Sequence, residues 1–187
     1  MRIGKLCSLL LCCFILAGCS GEKVQAGQSA LDFRTDLMAH NGCSFTAQIS
    51  ADYGDQVYAF TLKCRSDGEE TRLQVTEPDA IAGIAATVSA DGTKLQFDDA
   101  ELDFGKLANG YVSPVTVPWL LVQCWMGEYI AWSGADGDLE RVTYLRGYDD
   151  AELTVDTWFS NGVPLHAEVI YDDVRCLTVE ILDFQMN

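Results

Sequence analysis

The stretch that decides the fold is Cys43-Ser-Phe-Thr-Ala-Gln-Ile-Ser-Ala51, continued by Val57-Tyr-Ala-Phe-Thr-Leu-Lys-Cys64 and Thr71-Arg-Leu-Gln-Val75. Apolar and polar residues alternate through all three segments, which is the period of a half-buried strand. In the first, Cys43, Phe45, Ala47 and Ile49 share one face, while Ser44, Thr46, Gln48 and Ser50 share the other. A two-residue turn at Tyr53-Gly54 sets Cys43 opposite Cys64, Phe45 opposite Leu62, Ala47 opposite Phe60 and Ile49 opposite Tyr58. A second turn at Asp67-Gly68 sets Leu62 opposite Leu73 and Phe60 opposite Val75. A slip of one residue would throw these side chains onto the face of Thr61, Lys63, Arg72 and Gln74. The segment is therefore an antiparallel meander with one apolar face.

Toward the C-terminus the pattern repeats. A turn at Asp91-Gly92 puts Val88 opposite Leu95 and Ala86 opposite Phe97, and a further turn near Asp99-Ala100 brings in Leu102 and Phe104. Asn109-Gly110 breaks the alternation, and a helix is expected from Val117 to Trp132, with Pro118 suited to its first turn and Leu120, Leu121, Cys124, Trp125 and Glu128 on one face. A loop over Ser133 to Asp138 leads into strands at about 139–147, 151–159 and 164–171, the last two joined at Asn161-Gly162. A final strand runs from 174 to about 184, with a bulge expected because Trp158 and Phe159 face opposite ways and Glu168 would share a face with Val155. The count is nine or ten strands and two helices. The fold class is α+β, mainly antiparallel, with a strongly curved sheet or half-open barrel covered by the helices, the one bearing Trp119, Trp125 and Trp132 lying on the concave side.

Toward the N-terminus, Ser29 and Asp32 form the start of a short helix over about 30–41, with Leu31, Phe33, Leu37 and Met38 as its apolar stripe and Gly42 as its stop. His40 sits at the C-terminal end, where positive charge is favoured. Ser20 to Gln28 is small and polar, the composition of a flexible tether. Before it stands Leu16-Ala17-Gly18-Cys19, preceded by Arg2, Lys5 and an uncharged apolar run from Leu6 to Ala17. That layout is a secretory signal, and about twelve apolar residues fall short of the roughly 20 that span a bilayer. The four residues resemble the bacterial lipobox, which implies a diacylglycerol on the Cys19 sulfur and cleavage just before it. The expected organisation is a signal peptide over 1–18, a lipidated Cys19 and tether over 19–28, and one domain over 29–187. The protein would then sit outside the cytoplasm, anchored to the cell membrane by Cys19.

The 187-residue chain has a formal charge of −16. Removing residues 1–18 takes Arg2 and Lys5 away, leaving 169 residues with 10 basic and 28 acidic side chains, a charge of −18. Such a field repels nucleic acid, which is excluded as a partner. Cys43, Cys64, Cys124 and Cys176 match no zinc spacing, and His40 and His166 are the only histidines, so neither a metal site nor a cofactor is expected. The register makes Cys43 and Cys64 cross-strand neighbours, which leaves two structural readings, a disulfide or two buried thiols. Glu69-Glu70, Asp98-Asp99, Asp149-Asp150 and Asp172-Asp173 fall at turns, where carboxylates keep sheets soluble. No Gly-x-Ser-x-Gly element appears and neither His has a triad context, so no enzyme is expected.

The order of lipobox, initial helix, run of hairpins with one apolar face, mid-chain helix and Asp-rich terminal strands resembles the LolA-type lipoprotein-carrier fold over about residues 29–187. The stretch Gly162-Val163-Pro164 before the penultimate strand adds to the likeness. The resemblance implies acyl chains held between a curved sheet and its covering helices. The residues themselves suggest the lining: Phe45, Tyr58, Phe60, Leu62, Leu73, Val88, Leu95 and Phe97 on the sheet, with Trp125 from the helix. Two functions compete. One is a lipid or other hydrophobic ligand bound in the concave face; the alternative is a structural or regulatory envelope lipoprotein with a filled core that acts through a protein partner.

Overall fold

The computed structural model describes residues 21–96 and 107–187. Among the described residues ten strands form one antiparallel sheet: β1 (Cys43–Asp52), β2 (Val57–Ser66), β3 (Thr71–Glu77), β4 (Ala85–Ser89), β5 (Gly92–Gln96), β6 (Tyr129–Asp136), β7 (Leu139–Arg146), β8 (Leu153–Ser160), β9 (Val163–Tyr171) and β10 (Val174–Met186). Their order is β5-β4-β3-β2-β1-β10-β9-β8-β7-β6, so the sheet is curved but unclosed, with β5 and β6 as its edges. Each half is a meander of neighbouring hairpins. The two halves join at the centre, where the first strand pairs with the last, Ala47 standing opposite Ile181 and Ile49 opposite Val179.

Helices α1 (Gly21–Ala39) and α2 (Val117–Met126) cover the concave face. Helix α1 is longer than expected, taking in residues 21–28 that read as part of the tether. Its buried stripe is Ala30, Phe33 and Leu37, whereas Leu31 and Met38 are exposed. That i, i+3, i+7 spacing is the narrow seam of a helix lying on a surface rather than sunk into it. The expected helix over 117–132 is cut short at Gly127. From Tyr129 the chain turns into β6, so Trp132 lies on a strand and residues 133–136 are sheet instead of loop.

The sheet registers keep the predicted faces and move by two residues. The β1–β2 turn is centred on Gly54-Asp55, closed by Tyr53 N–H to the Gln56 carbonyl (2.9 Å) and capped by the Asp52 carboxylate, which accepts from Gly54 N–H at 2.8 Å. Cys43 therefore faces Ser66, Phe45 faces Cys64, Ala47 faces Leu62 and Ile49 faces Phe60. The same offset sets Leu62 opposite Val75 and Cys64 opposite Leu73 in β2–β3, while β4–β5 moves two residues the other way, its turn falling at Ala90-Asp91, and sets Ala86 opposite Leu95 and Val88 opposite Thr93. At Asn161-Gly162 the turn is as read, with Ser160 paired to Val163 and both turn residues at positive φ. The expected irregularity in the last strands is present, as register shifts at Trp158/Phe159 and Arg175/Leu177. Glu168 pairs with Asp156 on the outer face, not with Val155. The lipobox with Cys19, and Phe97, Leu102 and Phe104, lie outside the described residues.

Candidate ligand-binding face

The concave face has two regions with different burial. Under the helices five aromatic rings interlock: Phe33 from α1, Phe45 from β1, Trp125 from α2, Phe159 from β8 and Phe184 from β10. Phe33 meets Phe159 edge-on at 4.9 Å between centroids, and Trp125 meets Phe45 at 5.8 Å and Phe184 at 5.9 Å. These are favoured separations for aromatic pairs. Trp125 is fully buried, and its indole N–H donates to Thr157 Oγ1 at 3.1 Å, so its one polar group is satisfied.

Arg34 fixes the two helices to each other. Its Nε donates to the Trp125 carbonyl (2.9 Å), and its Nη2 to the carbonyls of Cys124 (3.2 Å) and Glu128 (2.7 Å). The last carbonyls of a helix have no partner within it, and a guanidinium at that end also complements the dipole. One side chain of α1 thus caps α2 and holds Trp125 in place.

Away from the helices the burial fades. Along β2, Ser66, Cys64 and Leu62 are buried, Phe60 is half-buried and Tyr58 is 47% exposed. Leu95 shares this face, because it pairs with buried Ala86, and it is 38% exposed. Tyr53 sets its ring edge-on to Tyr58 at 5.6 Å, and the Tyr58 hydroxyl donates to Gln56 Oε1. Strand β3 pairs with β2 only from Thr61 onward, so it does not flank this end of β2.

The lining read from the sequence is therefore divided. Phe45, Leu62, Leu73, Val88 and Trp125 belong to the closed core; Tyr58 stands at the open end of β2, with Phe60 between, whereas Leu95 lies apart on edge strand β5, level with Ala86, Leu73 and Cys64. Among the described residues Cys43, Cys64, Cys124 and Cys176 are free and buried. The register shift puts Cys43 and Cys64 on a diagonal rather than directly opposite, which corrects the expected pairing. Burial pushes the Cys43 thiol up to about 12 and raises Cys64, Cys124 and Cys176 as well. Protonated thiols in apolar surroundings are poor nucleophiles. Cys64 donates weakly to the Leu62 carbonyl and Cys176 to that of Val169.

The outer face carries an arrangement the sequence reading missed. Arg141 lies 4.7 Å above the Trp132 ring and 5.9 Å from that of Trp158, whose N–H donates to Asp136 Oδ2 at 2.8 Å. Trp158 neighbours His166, which contacts Glu180 Oε1 at 2.7 Å and Glu168 Oε1 at 3.5 Å. The available signal was Gly134, where a Cβ would lie 2.6 Å from the Trp132 ring. Its missing side chain is what lets the indole lie flat across β6. Two of the acidic pairs, Asp149-Asp150 and Asp172-Asp173, border one polar hollow. Among the described residues no group of three or more His, Cys, Asp or Glu is placed to hold a metal ion.

No family model matches this chain, and no curated protein matches its sequence. Among solved structures it is similar to a LolA superfamily protein from Nitrosomonas europaea, with 12% identity, 87% of this chain and 94% of the other covered, and a TM-score of 0.46. An uncharacterized conserved protein from Thermus thermophilus gives 8% identity, 86% and 87% coverage and a TM-score of 0.43. A DUF1329 family protein from Desulfovibrio piger gives 10%, 86% and 92%, and 0.38.

Proposed function

We propose that this protein is a lipoprotein held outside the cytoplasm by a diacylglycerol on Cys19, and that it takes a lipid or other hydrophobic ligand at the open end of its concave face. The observation that carries the reading is the burial gradient along β2, from buried Leu62 to Tyr58 at 47% exposure, on a face that stays apolar throughout. Tyr58 is a large, mostly apolar group at the margin of a continuous core, where an alkyl chain would remove it from water. Each buried methylene of such a chain contributes about 0.8 kcal/mol. We assign no catalytic step: the thiols are protonated and buried, and the role is binding.

The test uses the chain beginning at Ser20. The described core runs from Ala30 to Ile181, so this chain keeps it whole. Native mass spectrometry of the purified domain is expected to show a lipid adduct that leaves on collisional activation. Tyr58→Asp, at an exposed position and therefore still folded, is expected to lose it, while Leu95→Asp, remote from that end on β5, is expected to keep it. An apo mass that takes up no added phospholipid or fatty acid would overturn the reading. In cells, Cys19→Ser is expected to abolish incorporation of labelled fatty acid and to release the protein from the membrane fraction.

A second reading is favoured by the aromatic knot. With Phe33, Phe45, Trp125 and Phe159 all buried, the helix-covered region is filled by the protein's own side chains. A lipoprotein of that kind acts through an envelope protein partner, and the apo outcome above points to it.

A further inference from the structure

We propose that the hollow at the C-terminal end of α1 binds a phosphate group between Arg65 and Arg72. The hollow is about 520 Å³ and is bordered by the α1–β1 loop, the β2–β3 turn and the last residue of the chain. Arg65 and Arg72 stand directly opposite each other on β2 and β3, facing outward. Like charges in direct cross-strand opposition repel, so this pair is unfavourable unless an anion lies between them. Arg72 is paired with Glu70, an ion pair that leaves part of its fork unused, while Arg65 has neither a hydrogen bond nor an ion pair among the described residues. His40, on the rim, commits only Nδ1, to the Asp36 carbonyl at 2.8 Å, and keeps Nε2.

Two carboxylates also line the hollow, and each already has partners. Asp67 accepts the backbone N–H groups of Glu69 (3.1 Å) and Glu70 (2.9 Å), and Glu70 holds Arg72. The frame is rigid. Gly42 lies so close to Ser66 that a Cβ would stand 2.1 Å from its carbonyl oxygen, and Asn187 bridges the two, donating its N–H to Gly42 and its Nδ2 to Ser66, both at 3.1 Å.

The geometry also chooses among anions. A guanidinium presents a fork for two oxygens, so one arginine saturates a carboxylate, whereas two arginines bordering one hollow can engage a group with three or four oxygens. A phosphate has them. Two sources offer that chemistry, a soluble phosphate ester and a phospholipid headgroup. With 19 residues at about 1.5 Å each, α1 is about 28 Å long, and the hollow lies at the end away from residue 21. With the anchor at Cys19 proposed above, that placement favours a soluble phosphate ester. The site stands independently of whether the concave face takes a lipid.

The experiment titrates inorganic phosphate into the chain beginning at Ser20, by calorimetry and by the NMR signals of the arginine Nε–H groups. In parallel, the same chain is sedimented with vesicles of phosphatidylglycerol and phosphatidylcholine. Phosphate binding is expected, weakened at least tenfold in Arg65→Gln and in Arg72→Gln, and several-fold in Arg65→Lys, which keeps the charge and loses the fork. Binding to phosphatidylglycerol vesicles alone, lost in both Gln variants, would support the phosphate chemistry and assign the source to a lipid headgroup. No binding in either arm would overturn the proposal. So would binding unchanged in both Gln variants with native circular dichroism.

Discussion

Tyr144 shows how a single buried atom sets a testable energy. The residue is fully buried on β7, and its hydroxyl has no hydrogen-bond partner among the described residues. An unpaired buried hydroxyl costs about 1–3 kcal/mol, so Tyr144→Phe is expected to raise unfolding stability by about 1 kcal/mol, read as a higher urea midpoint at unchanged slope. The thiols give a pH dependence. Their folded values are raised, to about 12 for Cys43, above the ordinary thiol value near 8.5. The stability linked to them is complete below about pH 8.5, where both states are protonated, and falls as the unfolded chain ionises and the folded one does not. The thermal midpoint is therefore expected to drop progressively between about pH 8.5 and 12. Cys→Ala changes at Cys43 and Cys64 should flatten that drop. The sequence put Cys43 and Cys64 near each other because both lie on one face. That they stand on a diagonal, and not directly opposite as read, was not legible, since it hangs on which two residues turn at 53–56.

At the scale of elements the reason becomes general. Alternation has a period of two, so moving a turn by one residue slides the partner strand by two and leaves every side chain on its original face. Burial constrains the face and is silent on even slips. What decides between them is local, as when the Asp52 carboxylate caps Gly54 N–H and the Asp67 carboxylate caps the next turn. Where the dipeptide itself requires positive φ at both positions, as at Asn161-Gly162, the turn was readable. The end of α2 was not, because its C-terminal carbonyls are satisfied by Arg34, about 90 residues earlier, and no local pattern announces that contact. The open and covered regions predict opposite sensitivities. Trp125→Ala removes a fully buried indole and its bond to Thr157 and is expected to cost about 3–5 kcal/mol. Tyr58→Ala, at an exposed margin, is expected to cost under about 1 kcal/mol. Urea unfolding of the two variants side by side checks the division of the candidate site; similar losses would mean the face is one closed core.

The whole molecule is dominated by negative charge, −16 over the full chain, collected at turns such as Asp149-Asp150 and Asp172-Asp173. Mutual repulsion opposes the compact state and is screened by salt, the Debye length shrinking from about 30 Å at 0.01 M to about 8 Å at 0.15 M. The thermal midpoint is expected to rise by several degrees over that range of sodium chloride. An unchanged midpoint would mean that the surface charges are already compensated locally. Composition showed this field and the curved sheet showed in the hairpin rhythm. The pairing of the chain's first strand with its last was invisible to any local window, because the two are separated by the entire domain.

That central seam has a consequence for biogenesis. During translation β1 through β9 emerge before the strand that unites them, so the nascent chain carries two partial sheets, each ending in a bare inner edge, β1 on one and β9 on the other. Edges of that kind invite pairing with other chains. The protein is thus most in need of a chaperone just before β10 appears, and a stop codon at the start of β10 would leave both edges permanently unmatched.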